Sequence, residues 1–196
     1  MHTNRSGFTI IETLVAITVL MIAVAGPLVV ATRGLNSALA SKDQMIASYL
    51  AQDTLETIKN IRDGNVFANP TDIEGSWLKV GSYTLNSCDA DASGHSCDIN
   101  PVDADNSGNF DLVNCSTQVG SLNNYSCKIY YNGSTGYTHS SNSPGVFSGF
   151  YRRFYLENVG MNNSKSERRV HVIVDWFEGT VPYQVHVTGQ LIATSR

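Results

Sequence analysis

The sequence predicts an α+β fold: a long N-terminal helix whose first half spans a membrane and whose second half packs on an antiparallel β-sheet head. Three observations predict it. Residues Phe8 to Ala31 form an apolar run of 24 residues with one charge, Glu12. Residues 35–62 then carry apolar side chains at helical spacing with no proline. The C-terminal third alternates apolar and polar residues with a period of two, the pattern of half-buried strands.

A 24-residue helix rises about 1.5 Å per residue and so crosses a hydrocarbon core of about 30 Å. The leader before it holds Arg5 and no acidic residue, which favours keeping the leader in the cytoplasm. Glu12 is the odd feature. A carboxylate one turn inside such a helix costs on the order of 2.5–3.5 kcal/mol on insertion scales, and a plain anchor has no use for it. Pro27, after Gly26, removes one helix hydrogen bond and should bend or loosen the helix. An uncleaved signal anchor explains the run but leaves Glu12 unexplained, and no small-x-small cleavage site ends the run.

Gly7-Phe8-Thr9-Ile10-Ile11-Glu12 resembles the processing motif of type IV pilins and pseudopilins. The resemblance rests on the first 30 or so residues. It implies cleavage between Gly7 and Phe8 by a dedicated membrane peptidase, methylation of the new N-terminal Phe8, and a role for Glu12 in subunit assembly. The physics agrees: an amine at Phe8 and a carboxylate at Glu12 of neighbouring subunits neutralise each other in lipid, which removes most of the burial cost of either charge. The implied partners are copies of the chain or homologous pilins, the prepilin peptidase and methylase, and an inner-membrane assembly platform. The implied route is an inner-membrane precursor with its N-terminus inside, then an extracellular filament or a periplasmic pseudopilus. The divisions expected are a leader at 1–7, a transmembrane and filament-core helix at 8–34, a distal amphipathic helix at 35–64 and an extracytoplasmic head at 65–196.

In the distal helix Ala47, Ala51, Leu55 and Ile58 recur on one face, with Leu39, Ile46 and Leu50 beside them. Asp63-Gly64-Asn65 is read as its stop. The alternative is two helices broken near Pro27 or Gly34. From Val66 short strands and turns are expected. Leu78–Leu85 reads as a strand weakened by Gly81. Ser126–Tyr131 and Tyr137–His139 flank a glycine-rich hairpin loop. In Phe150–Glu157, Phe150, Phe154 and Leu156 share a face with Arg152 among them. Val170, Val172, Val174 and Trp176 share one face of the next strand. After a turn at Glu178-Gly179-Thr180, Val185, Val187, Gly189 and Leu191 face in, while Gln184, His186, Thr188 and Gln190 face out.

The chain has four cysteines, Cys88, Cys97, Cys115 and Cys127, all beyond the apolar run. The orientation above puts them outside the cytoplasm, where disulfides persist. Of the three possible pairings, Cys88–Cys97 with Cys115–Cys127 closes the shortest loops and is favoured. Free or metal-binding thiols are the alternative, and no C-x-x-C pair supports zinc.

Asp103, Asp105, Ser107, Asn109 and Asp111 stand at alternate positions with Gly108 among them. The set resembles an EF-hand-like calcium loop, with oxygens at positions one, three, five, seven and nine and glycine at six. Calcium takes six to eight oxygens, and the glycine lets the chain turn round the ion. Asn114 stands where the bidentate Glu is expected, which lowers affinity or requires another segment to complete the shell. Asp89, Asp91, Ser93 and Gly94 form a shorter echo. A solvated loop of Asx turns uses the same residues. Structural Ca2+ is thus the one cofactor the sequence suggests.

Net charge of −4 and a pI of about 5.6 argue against a nucleic-acid binder. Residues 147–155 mix aromatic and basic side chains that could stack on single-stranded DNA, but a sheet strand accounts for them. His171 and His186 fall across one hairpin without further ligands at recognisable spacing, so they read as surface histidines. No catalytic set appears, and the chain reads as a structural subunit: of a type IV pilus in adhesion or motility, or alternatively a pseudopilin of a secretion or DNA-uptake machine. An anchored, non-polymerising binding domain is the third reading.

Overall fold

A computed structural model of the chain describes residues 7, 9–69, 76–80, 83–89, 96–100, 110–115, 127–134, 136–139, 145–159 and 166–193. The fold is α+β, one helix against an antiparallel sheet.

Helix α1 runs unbroken over Ile10–Ala68, with Pro27 inside it. The apolar run and the amphipathic stripe are therefore one element, without a break at Pro27 or Gly34. Through Gln44 the chain forms one unit, and from Met45 onward another. In the second unit α1 buries Ala47, Leu50, Ala51, Thr54, Thr57, Ile58 and Ile61, with Ile46 and Leu55 half-buried at the margins. The stripe is centred on two threonines that sequence periodicity passes over. Their hydroxyls bond back to the carbonyls of Leu50 and Asp53, so burying them leaves no polar group unpaired. Leu39, expected on the packed strip, is exposed.

The helix passes the expected stop at Asp63-Gly64-Asn65. A glycine inside a helix costs about 1 kcal/mol relative to alanine, and tertiary contacts outweigh it. Asn65 Nδ2 donates to the carbonyls of Trp77 and Lys79 at 3.2 and 2.7 Å, and Val66 packs on the core.

Strands β1 (Lys79–Val80) and β2 (Tyr83–Thr84) pair with each other as Val80↔Tyr83 and Lys79↔Thr84. The single strand expected over 78–85 is thus a small hairpin that leads into a 3-10 turn at Leu85–Cys88.

Among the described residues the main sheet has seven strands: β3 (Ser96–Asn100), β4 (Asp111–Cys115), β5 (Lys128–Asn132), β6 (Gly136–Thr138), β7 (Val146–Asn158), β8 (Glu167–Glu178) and β9 (Val181–Ile192). Strand β7 is its spine. One edge pairs with β8 from Phe150↔Trp176 to Asn158↔Arg168. The other edge is shared, by β5 up to Tyr151 and by β3 at Cys97↔Phe154. The exchange follows an irregularity in the register. Gly149 there has a φ of 90°, which a glycine adopts freely. The Ser148 hydroxyl donates to the Ile129 carbonyl at 2.6 Å. Strands β8 and β9 pair through all twelve residues of each, Glu167↔Ile192 to Glu178↔Val181.

The faces follow the alternation. Phe150, Phe154, Leu156, Val170, Val172, Val174, Trp176 and Leu191 are buried toward α1. At Gly189 the helix comes close: a Cβ built there would lie 2.5 Å from Leu55 Cδ1.

Arg152 shares that buried face and is 1% exposed. Its Nε donates to Asp98 Oδ1 at 2.8 Å, its Nη2 to the Ile99 carbonyl at 2.9 Å, and its Nη1 reaches Asp53 Oδ2 on α1 at 3.3 Å. His139 Nδ1 lies 3.0 Å from Asp98 Oδ2. One guanidinium thus ties helix, β3 and β7 together. Burial on its own raises the Asp98 pKa, but the adjacent Arg152 charge and His139 outweigh it and hold the carboxyl below its ordinary 3.8.

Candidate functional site

The N-terminal segment begins with the helix start. The backbone N–H of Glu12 donates to the Thr9 carbonyl at 3.1 Å and lies 3.4 Å from the Thr9 hydroxyl, and the Thr13 N–H donates to the Thr9 carbonyl at 3.2 Å. Thr9 is therefore the N-cap and Glu12 the third helical residue, the spacing of a capping box. The Thr-x-x-Glu signal is plain in the sequence but was masked by the processing motif it overlaps. It gives Glu12 a second reason to be acidic: a carboxylate in the first turn faces the positive end of the helix dipole. Gly7, just before, is exposed. Phe8 lies outside the described residues.

Beyond the cap, α1 is apolar on every side. Ile10, Ile11, Leu14, Val15, Ile17, Val19, Leu20, Met21, Ile22, Val24, Leu28, Val29 and Val30 are all exposed in the single chain. The three threonines after Thr9 hide their polarity. Thr13 donates to Ile10 O, Thr18 to Val15 O, and Thr32 to Leu28 O and Val29 O, at 2.8–3.1 Å. Such a surface has no stable place in water. It is long and apolar enough to cross a membrane; its threonine hydroxyls and, but for the bond lost at Pro27, its helical backbone are satisfied internally as lipid requires.

Residues 2–26 match the family model described as the prokaryotic N-terminal methylation motif. The N-terminal segment is that of a type IV pilin-like prepilin. Together, the prepilin motif and the apolar helix fit a membrane-anchored precursor. No curated protein and no solved structure matches the chain.

In the head, disulfides join Cys88 to Cys97 and Cys115 to Cys127. All four cysteines are buried. The first bridge ties the 3-10 turn to β3, and the second ties the end of β4 to the residue before β5.

Asp103, Asp105, Ser107 and Asn109 lie outside the described residues, as do Asp91, Ser93 and Gly94. Asp111 opens β4, its backbone opposite Asn100; its side chain is likewise outside. Strands β3 and β4, read from sequence only as loop, are therefore the stem of the connection at 101–110. Their alternation is short and carried by cysteines and polar residues: all five residues of β3 are buried, Asp98 and Asn100 included. Asp89, of the shorter echo, is ion-paired with buried Arg168 at 3.3 Å. Among the described residues no group of three or more His, Cys, Asp or Glu side chains gathers as a metal cage.

The outer face of the sheet holds a cluster the sequence did not reveal. His171 Nδ1 and His186 Nε2 lie 3.0 Å apart. His171 Nε2 is 2.9 Å from Glu157 Oε2, which also takes Arg169 Nη1 at 3.0 Å. The His171 ring stacks on Tyr155, with centroids 4.6 Å apart and planes within 8°. His171 is only 13% exposed, which corrects its reading as a surface histidine. The hydrogen bond from His171, aided by the neighbouring Arg169, holds the Glu157 carboxyl below its ordinary value against the opposing effect of desolvation. Burial, then the charges of His171 and Arg153, hold His186 below its ordinary 6.5.

Proposed function

We propose that the chain is a prepilin cut between Gly7 and Phe8, methylated on Phe8, and polymerised through α1 into a type IV pilus filament as a structural subunit. The observation that carries the reading is the wholly exposed apolar stretch of α1 up to Ala31, with Glu12 as its one ionisable group, joined to the methylation motif. Before assembly that surface is covered by lipid. In a filament it is covered by the same helix of neighbours, and Glu12 pairs with the Phe8 amine of the next subunit. The divisions at 1–7, 8–34, 35–64 and 65–196 and the inside N-terminus belong to this reading.

Two measurements test it. The mature mass equals residues 8–196 plus one methyl, less the hydrogens lost to disulfides; an intact leader refutes the processing step. Immunogold labelling of the head marks extracellular filaments along their length for a major subunit and sparsely or at tips for a minor one. Label confined to the envelope, without filaments, replaces the pilus with a pseudopilus.

The acidic connection at 103–111 belongs to the same proposal as a structural Ca2+ loop. Support comes from its alternating oxygens and from a stem, Asn100↔Asp111, that closes its ends. Calcium raises the melting temperature of the chain in micelles if the loop binds it, by linkage to the folded state; an unchanged melting curve with excess calcium removes the assignment.

A further inference from the structure

We propose that His171 and His186, backed by Glu157, form a proton-operated latch between β8 and β9: the pair keeps one added proton and opens when acid brings a second. The rings meet head-on across the two strands, His171 Nδ1 to His186 Nε2 at 3.0 Å. So short a contact needs one hydrogen and one lone pair. The far nitrogen of His171 lies 2.9 Å from Glu157 Oε2, and a carboxylate only accepts, so that nitrogen carries a hydrogen. In the neutral pair His171 Nδ1 is therefore the acceptor and His186 Nε2–H the donor. One added proton fits. It enters at His186 Nδ1, on an exposed side chain, and the bridging hydrogen passes to His171 Nδ1, which leaves the charge beside Glu157. A second proton does not fit. Both facing nitrogens then carry hydrogens, no acceptor stands between them, and two cations are held with ring centroids 5.2 Å apart.

The other charged groups on this face, among the described residues, do not relieve that clash. From β7, Arg153 adds positive charge, paired with Asp175 of β8 at 2.8 Å, and Asp175 also accepts from Gln184 of β9. Arg169 of β8 shares the Glu157 carboxylate with His171. Glu167 of β8 takes the side chain of Gln190. Helix α1 packs on the opposite face. The two rings are not held alike. His171 lies flat on Tyr155 and is 13% exposed, whereas His186 is open to solvent. His186 is thus the ring that swings out. Strand β9, which among the described residues pairs with β8 alone, is the strand that loosens. Burial, then the charges of His171 and Arg153, set the His186 pKa below its ordinary 6.5 in the folded head. The latch therefore contributes fully above 6.5 and is lost as pH falls through the folded value.

The test is nitrogen NMR of the full chain in detergent micelles from about pH 8 to about pH 4.5, where histidines change charge and Asp98 keeps its own. At the upper end a scalar coupling across the N–H···N bond joins His171 Nδ1 to His186 Nε2, and in acid it disappears. The N–H of Ala193 donates to the Ser166 carbonyl, and the unbroken register turns the N–H groups of Val185 and Val187 toward β8 as well. Their amide exchange, corrected for its intrinsic pH dependence, quickens about tenfold as the latch opens, while exchange at Phe154 of β7 is unchanged. His186→Gln supplies an amide that donates to His171 and takes no proton, so its acid step in exchange vanishes. Because residue 186 is exposed, this change spares the core, and an unaltered near-ultraviolet circular dichroism spectrum verifies that. His2, His95 and His139 are common to both proteins, so their effects cancel. His171→Phe keeps a ring against Tyr155 and removes the second charge, and His186 then titrates closer to 6.5. Exchange at Val185 and Val187 that follows one pH course in wild type and His186→Gln overturns the proposal, whether both respond to acid or neither does. So does a coupling between the two rings that survives to the acid end.

Discussion

The two ends of α1 are the same secondary structure built for different solvents. Toward the N-terminus every side chain from Ile10 to Val30 is free of the protein, and the run shows no polar face. From Ala47 to Ile61 the buried positions fall on one stripe, and the reverse side is polar. The first stretch is helical because lipid demands internal backbone bonding. The second is helical because a sheet takes one of its faces. Each therefore has its own failure mode, and damage to one should leave the other standing.

The largest break comes from Arg152→Met. It leaves Asp98 buried without its charge partner, which costs about 3–5 kcal/mol. Chemical denaturation of the head should register that loss, while leader cleavage proceeds at the wild-type rate. If cleavage falls in step with head stability, the two stretches are not independent.

Acid sharpens the same point. The Asp98 pKa is lower in the folded head than its ordinary 3.8. Its contribution to stability is therefore complete above that value and lost as pH falls through the folded pKa. Melting temperature should hold from neutral pH to about pH 4 on this account and drop below it. Asp98→Asn should melt lower at neutral pH and show a flatter acid limb. An equally steep limb in the variant would place the acid-sensitive group elsewhere.

Gly189→Ala tests the helix–sheet approach. The new Cβ meets the end of Leu55, a side chain able to shift, so the cost is about 1–2 kcal/mol, in the range for modest overpacking. Leu55→Ala added to it should recover part of that loss; additive losses would show that the close approach is not the cause.

The smallest effect is at the other end. Thr9→Ala removes the N-cap hydroxyl, worth about 1 kcal/mol. Amide exchange at residues 10–13 should quicken in micelles, with the melting of the head unchanged.

Legibility in the sequence follows the range of the interactions. The apolar run, the stripe on α1 and the alternation of β8 and β9 were readable because each repeats a local period. The hairpin of β5 and β6 was readable from its turn residues. The helix end is not legible locally because Asn65 is held by carbonyls of Trp77 and Lys79, partners a local stop signal does not consult. Strands β3 and β4 were missed because their burial is secured by disulfides and by Arg152, 54 residues from Asp98. At the candidate site, Gly7, Phe8 and Glu12 were visible as a contiguous motif. The His171–His186–Glu157 cluster was not, since three strands must align before those side chains meet.

The threonines of the apolar run turn their hydroxyls into their own helix, and this bears on rotation. Seen down its axis, the stretch of α1 from Ile10 to Ala31 offers almost the same hydrocarbon surface at every azimuth. Glu12 alone among its ionisable groups marks a direction. In the filament proposed above, a bundle of such helices would be pinned near one end and smooth along the rest, so that neighbours could slip or turn against each other without breaking a polar bond. Stretching a filament of these subunits would then cost little until the pinned ends are pulled apart.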